Sequence, residues 1–207
     1  MSQLALPLAV PETSETEFIV SDSNVRAVQM LERWATWPVM AGLLVGPRKS
    51  GRSLLARIFA AKSEGAMIDD AERVAESDIF HAWNRAQAEH RPLLIVADAE
   101  PPEWSVRLPD LRSRLAATPV LTIGPPDDAL IALLLTRYFE RRLLIARPDL
   151  IAWLATRVER SHLALVRVAD ALEIDALERR SPRLSIAHAR GTLKARGLLV
   201  DSGNEGQ

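Results

Sequence analysis

The chain contains no cysteine, which excludes disulfides and every thiolate metal site. Lysine is scarce: it stands only at Lys49, Lys62 and Lys194, and arginine supplies the rest of the 26 basic residues. Against 27 acidic residues this leaves a formal charge of −1, too little to draw the whole chain to nucleic acid or to an anionic membrane. No apolar run approaches the length of a transmembrane helix. The first ten residues lack the basic flank and long apolar core of a signal peptide, so a cytoplasmic protein is expected. Repeats, heptads and low-complexity segments are also missing. His162 and His188 are isolated, with no second ligand at metal spacing. What remains, 48% hydrophobic and 26% charged residues over 207 positions, describes a soluble globular chain with one domain and a small appendage.

The chain is organised around Gly46-Pro47-Arg48-Lys49-Ser50-Gly51-Arg52-Ser53. An apolar run from Met40 to Val45 precedes it, and a helical apolar pattern from Leu54 to Ala61 follows. Strand, glycine loop and helix is the context that a phosphate-binding loop requires. Gly46 permits the tight turn, and Gly51 lets backbone N–H groups approach a phosphate. The helix starting near Arg52 adds its positive end, and Ser53 stands where a hydroxyl would hold Mg²⁺. Arg52 replaces the usual lysine, and a guanidinium fork does not substitute freely for an ammonium at a close-fitting phosphate site. The alternative is an ordinary glycine turn between a strand and a helix.

Downstream, a short apolar run at 66–68 ends in Asp69 and Asp70. Strand C-termini form the ligand edge of a parallel α/β sheet. There Asp69 could hold the water shell of Mg²⁺ and Asp70 could orient an attacking water; the alternative is an acidic helix start. A helix is expected over 77–89, followed by the clearest strand, 93–97, which ends at Asp98. After Pro101-Pro102 comes Leu108-Pro109-Asp110-Leu111-Arg112-Ser113-Arg114-Leu115, a short helix with proline at its start. Arg112 and Arg114, two apart, must point in different directions. A further strand covers 119–123. From Asp127 the pattern is purely helical, with helices over 127–141, 148–157, 161–177 and 185–196 and Gly197 as a stop.

Upstream, a helix over 24–34 is expected, capped by Ser23 or Asp22, with Val25, Val28, Leu31 and Trp34 on its buried face. Trp34 and Trp37 read as core residues rather than a base-stacking platform. Residues 1–18 read as a flexible tail. It carries Gln3-Leu4-Ala5-Leu6-Pro7-Leu8, whose leucines either dock in a partner's pocket with Gln3 fixing register, or fold back on their own domain.

Together these stretches resemble the AAA+ ATPases of the DnaA family, and closely resemble Hda-type regulators of DnaA. The resemblance covers nearly the whole chain. Residues 46–53 match Walker A, Asp69-Asp70 Walker B, and Ala97 or Asp98 the sensor-1 position. Residues 108–115 look like box VII, with Arg114 at the arginine finger. The helices after Asp127 look like the lid, and Gln3, Leu4, Leu6, Pro7 and Leu8 are similar to a sliding-clamp-binding peptide. The implied organisation is a tail at 1–18, an α/β P-loop core with a parallel sheet at 19–125, a helical lid at 126–200 and a disordered tail at 201–207. Two departures stand out. The link between the Walker A helix and Ala66 is too short for the strand and helix usual there, so a four-stranded sheet shortened by one edge strand is expected. The sensor-2 position, usually arginine, falls near Leu163, flanked by Arg160 and Arg167.

The resemblance implies regulatory inactivation of DnaA. The tail would dock on the sliding clamp of DNA polymerase III, and Arg114 would reach in trans to the γ-phosphate of DnaA-bound ATP. The chain's own site, residues 46–53 with Asp69 and Asp70, would hold ADP or ATP, with Mg²⁺ between Ser53 and Asp69, and would hydrolyse slowly or not at all. Neither a helix-turn-helix for sequence-specific DNA binding nor a membrane contact is expected. Two other readings stay open: a DnaA-like adaptor that binds the clamp or another replication factor without stimulating hydrolysis, and a self-sufficient P-loop ATPase.

Overall fold

Every position of β1, Ala41–Val45, and of β3, Leu93–Ala97, is buried. Strands that are apolar at consecutive positions must be covered on both faces, the signature of a parallel sheet between helical layers. The computed structural model, which describes residues 18–200, has that arrangement. Two shorter strands, β2 (Ala66–Ile68) and β4 (Val120–Thr122), complete a sheet of order β2-β3-β1-β4 with every pair parallel. Ala41 lies opposite Leu93, Leu43 opposite Val120 and Ala66 opposite Leu93. The expected four-stranded sheet is therefore what forms, with β2 at one edge.

Period-two alternation divides the strand side chains between two helical layers. Leu44, Leu94, Val96 and Leu121 pack with Val28 and Leu31 of α1 (Val25–Glu32) and with Leu55 and Phe59 of α2 (Arg52–Ser63). Leu43, Val45, Leu93 and Ile95 pack on the other face with Ile79 of α3 (Glu76–Glu89) and Leu111 and Leu115 of α4 (Pro109–Ala116). Each such leucine or isoleucine, fully buried, is worth about 1.5–3 kcal/mol relative to an exposed one.

Three expectations are corrected. α1 ends at Glu32, and Trp34 opens a separate 3₁₀ turn, Trp34–Thr36. Neither Ser23 nor Asp22 caps α1; the N-cap is Asn24, whose side chain accepts from Ser21 N–H at 3.0 Å and donates to Ile19 O at 2.9 Å. Phe18 is part of the α1–α2 layer rather than of the tail. Trp37 is core as expected: it is buried, stacks on Phe59 at 5.7 Å and donates to Met30 O at 3.0 Å.

The chain divides into two units between Gly124 and Pro125. The second contains α5 (Asp128–Arg141), α6 (Pro148–Ala155), α7 (His162–Glu178) and α8 (Ile186–Ala195) around one core that includes Leu135, Phe139, Leu154, Leu165, Leu172 and Leu193. Three of these helices start on side-chain caps: Asp127 accepts from Leu130 N–H at 2.8 Å, Ser161 from Ala164 N–H at 3.1 Å and Ser185 from His188 N–H at 3.3 Å. Such a cap satisfies one otherwise orphaned donor of the first turn. Among the described residues no helix is long and apolar enough to cross a membrane. Gln3, Leu4, Leu6, Pro7 and Leu8, and the expected tail at 201–207, lie outside the described residues.

Candidate functional site

β1 runs directly into the glycine loop. A Cβ on Gly46 would stand 2.8 Å from Ile123 O, so only glycine lets the end of β1 pass this close to the chain leaving β4. The loop turns through a Ser50 N–H to Pro47 O bond at 3.2 Å. Lys49 and Gly51 both take left-handed conformations, at φ 67° and 87°. Gly51 is the N-cap of α2. The first-turn N–H groups of that helix lack intrahelical acceptors and carry the positive end of its dipole. With the left-handed turns before them they make a concave set of donors suited to an anion. Ser50 is buried and its Oγ has no hydrogen-bond partner.

β2 delivers the acidic pair to the same edge. Ser53 Oγ donates to Asp69 Oδ1 at 3.0 Å, and the same oxygen accepts from Asp70 N–H at 3.1 Å. The two side chains expected to hold Mg²⁺ are therefore adjacent. Mg²⁺ keeps several waters and is completed by substrate phosphate, so two protein oxygens fit its habits. Asp70, at φ 47°, turns toward Arg73 at 3.8 Å, with both side chains well exposed.

Arg52 departs from the lysine-like role its position suggests. It is only 8% exposed, and its guanidinium points to the end of β3, donating to Ala97 O and to Asp98 Oδ1, the latter at 2.5 Å. Arg48 donates through Nε to Asp98 Oδ2 at 3.0 Å. Asp98 thus carries two guanidiniums while its own N–H donates to Glu72. Partial burial pushes the Asp98 carboxyl up, but the bonds from Arg52 and Arg48 outweigh it and hold the group below the usual carboxylate range. Glu72 was not legible as a site residue, because its contact depends on how the turn after β2 meets β3. Lys49 is exposed at the loop's apex.

α4, the helix that resembles box VII in sequence, is fastened to α3 at both ends. Glu76 accepts from Arg107 N–H at 2.9 Å and Leu108 N–H at 2.6 Å, and these bonds hold its carboxyl below the ordinary glutamate range. At the other end Arg114 lies over Phe80 at 4.5 Å and Trp83 at 5.2 Å, with Nε donating to Asn84 Oδ1 at 2.8 Å. Trp83 donates to Thr118 Oγ1 at 3.1 Å, and that hydroxyl donates to Arg114 O at 2.9 Å. The Arg114 guanidinium, expected to reach in trans, is thus engaged by partners inside its own subunit. Arg112 does point elsewhere, exposed and donating to Arg107 O at 3.3 Å.

In the helical unit Leu163 stands at the second position of α7, 36% exposed. Arg160 pairs with Asp128 at 2.6 Å, and Arg167 is exposed on α7.

No family model and no curated protein matches the sequence. Solved structures do. Domain III of the Thermotoga maritima replication initiation protein DnaA matches with a TM-score of 0.70 at 15% identity, over 90% of this chain and 98% of that one. A replication initiator DnaA bound to AMPPCP and single-stranded DNA matches at 0.59 and 13% identity, over 79% of this chain and 66% of that one. The Thermotoga maritima RuvB Holliday junction branch migration motor matches at 0.58 and 13% identity, over 83% and 66%. The parallel four-stranded sheet and its helices match the AAA+ P-loop fold of DnaA domain III and RuvB.

Proposed function

We propose that this chain is a DnaA-like regulator of replication initiation that docks on the sliding clamp and stimulates ATP hydrolysis by DnaA. The observation that carries this reading is the likeness to DnaA domain III over nearly the full length of both chains. Gln3, Leu4, Leu6, Pro7 and Leu8 bind the clamp. Arg114 supplies positive charge to the γ-phosphate in DnaA's site, and a finger given in trans is worth about 10³–10⁵ in rate.

The chain's own loop holds ADP or ATP. Backbone donors of residues 46–53 and the end of α2 receive the phosphates, while Ser53 and Asp69 hold Mg²⁺. Bound nucleotide would supply a polyphosphate anion to these donors. The AMPPCP in the similar DnaA structure supports this fit. Intrinsic hydrolysis is slow, because Arg52 is turned to Asp98 and Leu163 stands at the sensor-2 position; turnover of about 1 s⁻¹ or more by the isolated protein would reject this.

The deciding experiment measures ATP turnover by DnaA with clamp loaded on DNA, with and without this chain. Acceleration supports the regulator. Clamp binding without acceleration supports the adaptor reading, which the engagement of Arg114 by Asn84, Phe80 and Trp83 specifically favours.

A further inference from the structure

The loop that would bind phosphate already has an anion at its side. Arg52 is almost wholly buried, and a buried cation must be paired. Asp98 supplies the pair at 2.5 Å and, through its other oxygen, binds the exposed Arg48 at 3.0 Å. Arg52 has a second acceptor in Ala97 O, whereas Arg48, 60% exposed, has Asp98 as its acidic partner. The two arginines therefore differ in freedom: Arg52 is anchored and Arg48 can be transferred.

We propose that Asp98 is an internal counter-anion that sets the loop's affinity for phosphate, because the Asp98 carboxylate and a nucleotide's phosphates compete for Arg48. This rests on the nucleotide reading given above. It makes Asp98 an affinity-determining residue rather than a sensor of the γ-phosphate. The free protein gains order from the Asp98 pairs, and a bound phosphate must both draw Arg48 away and tolerate a carboxylate beside it. Neutralising Asp98 removes both penalties. Asp98→Asn keeps an oxygen for Arg52 and leaves the Glu72 bond, which runs from the backbone of residue 98, in place.

The test is calorimetric titration of the full chain with ADP, with and without Mg²⁺, for wild type, Asp98→Asn and Asp98→Ala. The expected result is a Kd for ADP about tenfold lower in the variants, the scale of one charge-assisted hydrogen bond. The free variants should melt below wild type yet gain more in melting temperature on adding ADP. In an Arg48→Gln background the Asp98→Asn gain should shrink to the part that comes from removing the carboxylate beside the phosphate, a dependence on Arg48 that a merely structural role for Asp98 does not require. Equal or weaker ADP binding by both Asp98 variants, with wild type binding, overturns the counter-anion and leaves the nucleotide site standing. Absence of ADP binding by all the proteins overturns the nucleotide site, and this inference with it.

Discussion

Arg114 reaches back across the α3–α4 layer to Asn84, donating Nε–H to its Oδ1 at 2.8 Å. A residue assigned by position to act on a neighbouring molecule is thus also part of its own domain's packing. Arg114→Ala should lower stability by about 1–3 kcal/mol, the sum of one hydrogen bond and a cation–π contact, and should remove stimulation of DnaA. Arg112→Ala should change stability by less than about 0.5 kcal/mol and leave stimulation intact. Urea unfolding and DnaA turnover read the two effects separately. Loss of stimulation with Arg112→Ala alone would transfer the finger to Arg112, and loss with neither would place the stimulation on a group outside this helix.

Glu76 gives the α3–α4 layer a pH dependence. Its carboxyl is depressed in the folded state by the N–H groups of Arg107 and Leu108. The unfolded chain therefore takes up this proton more readily than the folded one. The stability Glu76 contributes is complete above the ordinary glutamate range and is lost as pH falls through the depressed value. Glu76→Ala should melt below wild type at neutral pH, with the gap closing on acidification. A gap that persists in acid would show that packing, not charge, is lost.

Gly42 leaves space that Trp37 fills. A Cβ there would stand 2.6 Å from Trp37 Cη2 and 3.2 Å from Leu121 Cδ1. Gly42→Ala should destabilise by about 1–3 kcal/mol through overpacking. In a Trp37→Leu background the same substitution should do much less, and a double-mutant cycle measures the coupling. Additive effects would place the strain at Leu121 instead.

The N-terminal peptide is tested by Gln3→Ala combined with Leu6→Ala. Clamp binding should be lost in a surface-binding assay while the melting temperature stays that of wild type. Unchanged clamp affinity would return these leucines to contacts within the chain.

Much of this architecture is legible in the sequence because it rests on local chemistry. The apolar run 93–97 between Pro92 and Asp98 can only be a strand buried on both faces, and caps at Asp127, Ser161 and Ser185 mark three helix starts to within one residue. Trp34 misled because an apolar residue at helical spacing can equally follow the helix in a 3₁₀ turn. The partners of Arg114 come from another helix, and those of Arg52 from the far end of β3. Spacing within the loop reveals charge and position but not which way a long side chain turns. Glu72 and Glu76 have no local signature at all, since their acceptors are filled by backbone N–H groups of residues brought near only by the sheet and its layers.

The strand order also fixes when the loop's charge is settled during assembly. β1 lies inside the sheet, but both its neighbours, β3 and β4, come later in the chain. A growing polypeptide that has made β1, the loop and α2 has no ladder to close, and non-local pairing of this kind is slow. β3 changes that in one step: Leu93 pairs with both Ala41 and Ala66, so its arrival joins β1 to β2. The same strand ends at Ala97 and Asp98, the acceptors for Arg52. Until it docks, the segment 48–52 is a run of three cations with no acid of its own; once it docks, register and charge are set together. A ribosome paused before residue 98 would hold a loop of unpaired cations, and one paused shortly beyond it, with the strand clear of the exit tunnel, a loop in which Arg48 and Arg52 share the Asp98 carboxylate.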